Sequence, residues 1–433
     1  MTTGAQAAPT SRMQRVLAGP GSGKTRLLVT EITTRLQTGM DAGAILGMTF
    51  TRRAAKEMVD RVRKATGKTP WLGTFHALAR RILVDLKLLG AAVDLEKLIP
   101  DATAALQAGQ VPAWLKKVRF IAVDEAQDLD HTQVQFLKSL RQHTQEDGLL
   151  LVGDPDQSIY RFRGASPEFL LKAGEVFERQ VETVTLGANH RSCPAIVHTA
   201  RSLLSPYADP QSPCHSLEAI RTEAHPAVRW IEARTEEEEA HRIFEEIETL
   251  RALNVPLTEI TILVRVRHQI PVLQREAERW NIPLYLPPLK DQLDRDAQEA
   301  PEPPANSVQL MTMHQAKCTE FLVVFLAGVQ DGLMPYRLAK TEEACYEELR
   351  LLYVAMTRAK QVLWFCHHGT LSPFLRRVRT ARLQPIRPPE RPSTPTTTTV
   401  APVPQAHPGR PMTPVTENVL HQILAWVRKG FGG

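Results

Sequence analysis

Residues 18–25 read Ala18-Gly19-Pro20-Gly21-Ser22-Gly23-Lys24-Thr25, and the fold is read outward from them. Three glycines in alternation let the backbone curl until its N–H groups face phosphate oxygens. The start of a following helix adds the positive end of its dipole. Lys24 stands where an ammonium reaches the β- and γ-phosphates, and the Thr25 hydroxyl stands where it ligates Mg²⁺. Arg26 continues the first helical turn and is expected, with residues 18–25, to belong to the nucleotide-binding set. A short apolar run, Val16-Leu17, precedes the loop and a helix-like run follows it. Strand, glycine loop and helix is the context this motif requires.

About a hundred residues further on, an apolar strand at 120–123 ends in Asp124-Glu125-Ala126-Gln127-Asp128. An acidic cluster after a strand is usually a solvated turn. Downstream of a phosphate loop it takes a second meaning. Asp124 is assigned to the metal and Glu125 to the general base that polarises the attacking water.

The rest of the chain alternates in the same style. RFIAVDE (119–125) and LLLVGD (149–154) read as buried parallel strands, and AAKEMVDRVRKA (54–65) reads as a crossover helix. EITILVRV (259–266) and FLVVFLAGV (321–329) repeat the strand pattern. TEEEEAHRIFEEIETLRAL (235–253) is a helix whose acidic run is read as a solvated face. The expectation is an α/β protein of two domains with parallel sheets, 1–185 and 186–384. The first has a short insertion at about 85–118, and the second a polar, acidic loop at 288–306. Residues 385–414 are rich in Pro and Thr and are read as a disordered tether. An amphipathic helix or tail follows at 415–433, with Val419, Leu420, Ile423, Leu424 and Val427 on one apolar stripe.

Composition excludes several classes. The chain has 433 residues and a formal charge of +6, which permits a polyanionic partner without requiring one. Cys193, Cys214, Cys318, Cys345 and Cys366 form no C-x-x-C pair, which argues against zinc and disulfides and for a reducing cytoplasm. No apolar run reaches the roughly 18 residues of a membrane span, so no membrane partner is expected.

Eight ordered blocks then resemble one family, the UvrD/PcrA/Rep helicases of superfamily 1, from about Val16 to Gly369. Besides the glycine loop and DEAQD they are MTFTRRAAKEM (48–58), GTFHALARRIL (73–83), VGDPDQSIYRFRGA (152–165), NHRS (189–192), VQLMTMHQAKCTEF (308–321) and YEELRLLYVAMTRA (346–359). The resemblance implies two tandem RecA-like domains with ATP and Mg²⁺ between them. It implies that Gln157 senses the γ-phosphate, that Arg191 and Arg358 act as arginine fingers, and that Glu320 faces the ribose. DNA contacts are implied at Thr49, Phe50, Thr74, Phe75, His76, Tyr160, Phe162, Thr312 and His314. The implied partner is single-stranded DNA or a single-strand/duplex junction, tracked 3′ to 5′.

Departures from the family pattern accompany the matches. The glutamine segment that reads adenine has no counterpart, since Gln6 lies too near the loop. His190 replaces an aromatic, Phe162 a tryptophan and Cys318 a glycine. Both large inserted domains are reduced to short segments, which spares translocation more than unwinding. Alternatives are an accessory translocase that serves a protein partner through the C-terminal helix, and a non-motor protein with a degenerate ATPase. The intact Lys24, Asp124, Glu125, Gln157, Arg191 and Arg358 oppose the last.

Overall fold

A computed structural model describes residues 12–90, 93–145, 148–222, 227–288 and 302–381. The Pro/Thr-rich segment, the amphipathic tail and residues 289–301 of the acidic loop lie outside them.

The first sheet contains β1 (Arg12–Ala18), β2 (Ile45–Thr49), β3 (Trp71–Thr74), β4 (Phe120–Val123), β5 (Gly148–Gly153) and β6 (Val181–Leu186). Its order is β3-β2-β4-β5-β1-β6 with every pairing parallel. The central strands β2, β4 and β5 are buried along their whole length. That is why they read as continuous apolar runs rather than alternating ones. Helices α1 (Lys24–Gln37), α2 (Arg52–Thr66), α3 (Phe75–Asp85), α4 (Leu95–Gln107) and α5 (His131–Gln142) cover it. The short insertion expected at 85–118 contains α4, which packs Leu98, Ile99, Ala102 and Leu106 into the core behind α3.

The second sheet contains β9 (Val228–Glu232), β10 (Ile260–Val264), β11 (Leu284–Tyr285), β12 (Val308–Thr312), β13 (Phe321–Ala327) and β14 (Ala359–His367). The order is β11-β12-β10-β13-β14-β9, again all parallel. Between the sheets, β7 (Ala188–Asn189) and β8 (Glu218–Ala219) form a small ladder at the seam. The expected α/β class with two parallel sheets is what the chain adopts.

The acidic run at 236–239 starts α6 (Glu236–Ala252), behind a Thr235 cap. Its reading as a solvated face fails at one position. Glu239 is buried at 3% exposure, accepts the Gly328 N–H at 2.7 Å and meets His368 Nδ1. The physical reason is periodic: Glu239 precedes Ile243 and Ile247 by one and two turns, on the face turned to the sheet.

Candidate active site and nucleic-acid interface

Strand register brings the first cluster together. β1, β5, β4 and β2 pair so that Leu17 lies beside Gly153, Val123 beside Leu151, and Met48 beside Val123. Whatever follows each strand therefore gathers at one edge. The glycine loop follows β1, Asp124-Glu125 follows β4, and Asp154 follows β5. In open parallel sheets this carboxyl edge is where ligands bind.

The loop has the cradle its residues predict. Gly21 and Gly23 hold φ of 66° and 86°, conformations that residues with a Cβ disfavour. Gly21 has a second reason to lack a side chain, since a Cβ there would stand 2.7 Å from Arg191 Cβ. Asn189 Nδ2 donates to Pro20 O at 2.7 Å, and the His190 N–H donates to Gly21 O at 2.9 Å. Lys24 Nζ lies over the loop, 3.1 Å from Ala18 O and 4.0 Å from Asp154 Oδ2.

Thr25 Oγ1 lies 3.3 Å from Asp124 Oδ2. A hydroxyl and a carboxylate converging beside a phosphate cradle fit Mg²⁺, which takes one or two protein oxygens and completes its shell with phosphate and water. Burial, and then the neighbouring Glu125, push the Asp124 carboxyl up to about 7, with Lys24 pulling the other way. A bound dication would favour the ionised form.

Glu125 is the backbone outlier of the group, at φ 54°. A left-handed non-glycine residue at an active edge stores on the order of 1–3 kcal/mol that the surroundings must hold. Burial resists ionisation of its carboxyl. Lys24, Lys317, the Gln127 amide and Arg358 outweigh that and hold it below the ordinary value. An ionised carboxylate in this place is competent to take a proton from water. Gln127 Nε2 donates to Glu125 Oε2 at 2.6 Å, while Gln127 Oε1 accepts the Asp154 N–H at 2.9 Å.

The second sheet meets this edge with its amino edge. Arg358 precedes β14, and Lys317 and Glu320 precede β13. Arg358, 2% exposed, donates through Nη2 to Gln157 Oε1 at 3.1 Å, and Gln157 Nε2 donates to Asp154 Oδ2 at 2.6 Å. Arg191 Nε donates to Glu320 Oε2 at 2.6 Å. Glu320, expected at a ribose, is thus engaged with Arg191 and with Lys360 at 3.3 Å.

Sequence reasoning missed Lys317, Asp128, Gln127 and Asp154. Lys317 is 4% exposed and its ammonium donates to Asp128 Oδ2 and, at 2.6 Å, to Gln157 O. It ties the second half to both the Glu125 and the Gln157 segments of the first. The available signal was the presence of all four inside the quoted blocks. Cys318, in the place of a glycine, keeps the left-handed backbone at φ 72°, so the loop geometry survives the replacement.

The residues expected at DNA divide by exposure. Phe162 is 66% exposed, with His314 at 5.9 Å and Tyr160 at 6.1 Å, both edge-on. Tyr160 OH reaches His314 O at 3.4 Å across the seam. A hollow of about 340 Å³ beside them is lined by Phe162, Arg265, His314, Glu347, Glu348 and Leu351. Burial and then the cations Arg265, Lys317 and Arg163 push His314 down to about 4, so it is neutral near pH 7. His76 is exposed and Thr74 caps α3, accepting from Ala77 N at 3.2 Å. Phe50 is half-buried, and the Thr312 hydroxyl bonds Gln315 Oε1 at 3.1 Å.

Phe75 and Thr49 are corrections. At 2% and 1% exposure they offer no side-chain surface to a base or phosphate. Phe75 belongs to the core with Leu78, Ala79 and Ile82, one and two turns along the same helix face.

Among the described residues no helix is long and apolar enough to cross a membrane, and no group of three or more His, Cys, Asp or Glu is placed to hold a metal.

Comparison with known proteins adds an independent line. An AAA domain family matches residues 2–163, and the UvrD-like helicase C-terminal domain family matches 184–287 and 288–370. The ATP-dependent DNA helicase UvrD2 of Mycobacterium tuberculosis (strain ATCC 25618 / H37Rv) is 24% identical over 547 residues, covering 84% of this chain and 78% of that protein. The matched span exceeds the 433 residues of this chain, so that relative carries segments this chain lacks. The ATP-dependent DNA helicase PcrA of Staphylococcus aureus (strain NCTC 8325 / PS 47) is 26% identical over 354 residues, covering 62% of this chain and 48% of that protein.

Proposed function

As this chain belongs to the UvrD/PcrA-like superfamily 1 DNA helicases, ATP hydrolases that act on DNA, we propose that it is a short-form motor that moves 3′ to 5′ along single-stranded DNA. The observation that carries the reading is the Arg358–Gln157–Asp154 chain of hydrogen bonds beside Lys24 and Glu125. The peptide runs on from Gln157 through Ile159, which packs in the core of the second domain, to Tyr160 and Phe162. A change at the γ-phosphate thus has a short covalent route to the exposed aromatics. The 3′ to 5′ direction rests on the family resemblance.

In this reading Lys24 and the loop N–H groups bind the phosphates, and Thr25 and Asp124 would hold Mg²⁺, which would supply positive charge beside the transferring phosphoryl group. Glu125 accepts a proton from the attacking water. Arg358 and, once released from Glu320, Arg191 stabilise the transition-state charge from the second half. Phe162 stacks on bases without regard to sequence, and main-chain and hydroxyl groups follow the phosphates.

The reduced insertions favour translocation over unaided unwinding. The accessory-translocase reading, in which a nuclease or replication protein supplies what unwinding needs, is favoured by the Pro/Thr-rich run at 385–414 and the apolar stripe from Val419 to Val427 that follows it. ATPase with and without single-stranded DNA, using Lys24→Ala as the inactive control, tests the motor. Displacement of a strand from duplexes with 3′ or 5′ tails then tests unwinding and polarity. ATP turnover that ignores DNA would overturn the proposal, and unwinding from 5′ tails alone would reverse the direction.

A further inference from the structure

The turn that carries Gln157 has a second attachment to the other half of the molecule. Asp154 caps the turn Pro155–Gln157, accepting the Asp156 N–H at 3.1 Å on one carboxylate oxygen and Gln157 Nε2 at 2.6 Å on the other. Successive side chains of so tight a turn leave it about 120° apart. While Gln157 faces Arg358, Asp156 faces elsewhere. It is buried and meets Ser212, whose hydroxyl donates to Asp156 Oδ2.

Ser212 belongs to the second half and is itself held fast. Its hydroxyl accepts the Cys214 N–H at 2.9 Å, and its own N–H donates to Asp209 O at 2.8 Å. Cys214 and Leu217 lie in one buried cluster with Ile196, Leu203 and Leu352. The helix Glu342–Met356, which carries Leu352 and ends just before Arg358, packs against the Gln157 turn.

The Asp156 carboxyl is costly where it stands. Its Oδ1 is buried without a hydrogen-bond partner. Burial and then the neighbouring Asp154 push it up to about 7, with Ser212 and Arg350 pulling the other way. An apolar side chain would fill the same space without that cost. What the carboxyl supplies, and an apolar group cannot, is the bond to Ser212.

We propose that Asp156 is a positioning residue for ATP hydrolysis: through Ser212 it makes the Gln157 turn follow the second half, so that Gln157 meets the γ-phosphate in step with Arg358. Arg358 restrains only the end of the Gln157 side chain. The Ser212 bond restrains the backbone behind it, so the turn is held from two sides. The inference rests on the reading of Gln157 as the γ-phosphate sensor.

Steady-state ATPase with saturating single-stranded DNA tests it on full-length Asp156→Ala, Asp156→Asn, Ser212→Ala, the double variant with both alanines, and Gln157→Ala. One lost buried hydrogen bond is worth about tenfold. Asp156→Ala and Ser212→Ala should therefore each lower kcat by about tenfold, with KM for ATP within about twofold of wild type. The double variant should fall no further than either single one, because both remove the same bond. Asp156→Asn keeps an acceptor for the Ser212 hydroxyl and should recover kcat to within about threefold of wild type. Additive losses overturn the proposal, since Ser212 would then act only through its cap on Cys214. A rise in KM at unchanged kcat, or an asparagine variant as slow as the alanine one, overturns it too. Ser212→Ala removes a single hydroxyl and keeps the test decisive where Asp156→Ala fails to fold. Near-normal turnover by Gln157→Ala would overturn the sensor reading itself. A deep loss in Gln157→Ala with near-normal turnover in Ser212→Ala overturns this inference alone.

Discussion

Replacing Lys317 with alanine removes the buried cation that joins the two halves. Its ammonium donates to Asp128 Oδ2 and to Gln157 O, and it is 4% exposed. Deleting one member of a buried ion pair costs about 3–5 kcal/mol, because the partner charge is left without compensation. The pair lies at a seam that water can enter once the halves part, so the lower figure applies to closure. About 3 kcal/mol corresponds to a roughly hundredfold smaller closed population. We therefore expect DNA-stimulated kcat to fall by about two orders of magnitude, with each isolated half still folded. Lys317 also helps to hold the Glu125 carboxyl low against the opposing effect of burial. Without it the Glu125 pKa rises, and the acid limb of the pH–rate profile moves to higher pH. The assay is steady-state ATPase across pH for Lys317→Ala, Asp128→Ala and the double mutant, with thermal melts alongside. The double mutant should lose less stability than the two single losses combined, by about 2 kcal/mol, since it buries no lone charge. Strict additivity, or turnover within threefold of wild type for Lys317→Ala, would refute the reasoning.

Glu125→Gln should keep ATP binding and lose hydrolysis by at least about a hundredfold, the scale of general-base loss; normal single-turnover rates would remove Glu125 from that role. Phe162→Ala should weaken single-stranded DNA binding by about 1–3 kcal/mol, evenly across unrelated sequences and without lowering Tm, because the ring is exposed; titrations at several salt concentrations check this, and a loss confined to one sequence counts against stacking. His314 is depressed to about 4 from an ordinary value near 6.5. A depressed histidine contributes stability above its unfolded pKa and loses it as pH falls through the window from about 6.5 to about 4. Denaturant unfolding should thus show a loss on the order of 3 kcal/mol over that range, reduced in His314→Gln; an unchanged pH slope in that variant would assign the loss elsewhere.

The phosphate loop and the DEAQD cluster were legible because each sits at the end of an apolar run, whereas the roles of Gln157 and Arg358 came only from the resemblance of their blocks to the helicase family. Parallel register does the remaining work of gathering strand ends at one edge. Two misreadings, Phe75 and Glu239, were avoidable, since each shares a 3.6-residue face with buried neighbours, Leu78-Ala79-Ile82 for one and Ile243-Ile247 for the other. An exposed role was assigned from motif membership or from a charge run, while the helix period pointed inward. The Lys317–Asp128 bond had no such local sign. Its partners are 189 positions apart, and only the packing of one sheet edge against the other brings them together. Arg191 with Glu320 is similar: both residues were identified, but their ion pair follows from the seam and not from either motif.

Cys318 has a practical consequence. A side chain at φ 72° costs about 1–2 kcal/mol relative to glycine, and here it turns a thiol outward between Lys317 and Thr319, which bond across or beside the seam. Cys193, Cys214 and Cys366 are buried and Cys345 is partly covered. The natural chain therefore carries its own attachment point for a fluorescent reporter, at the joint whose opening and closing would be followed in real time.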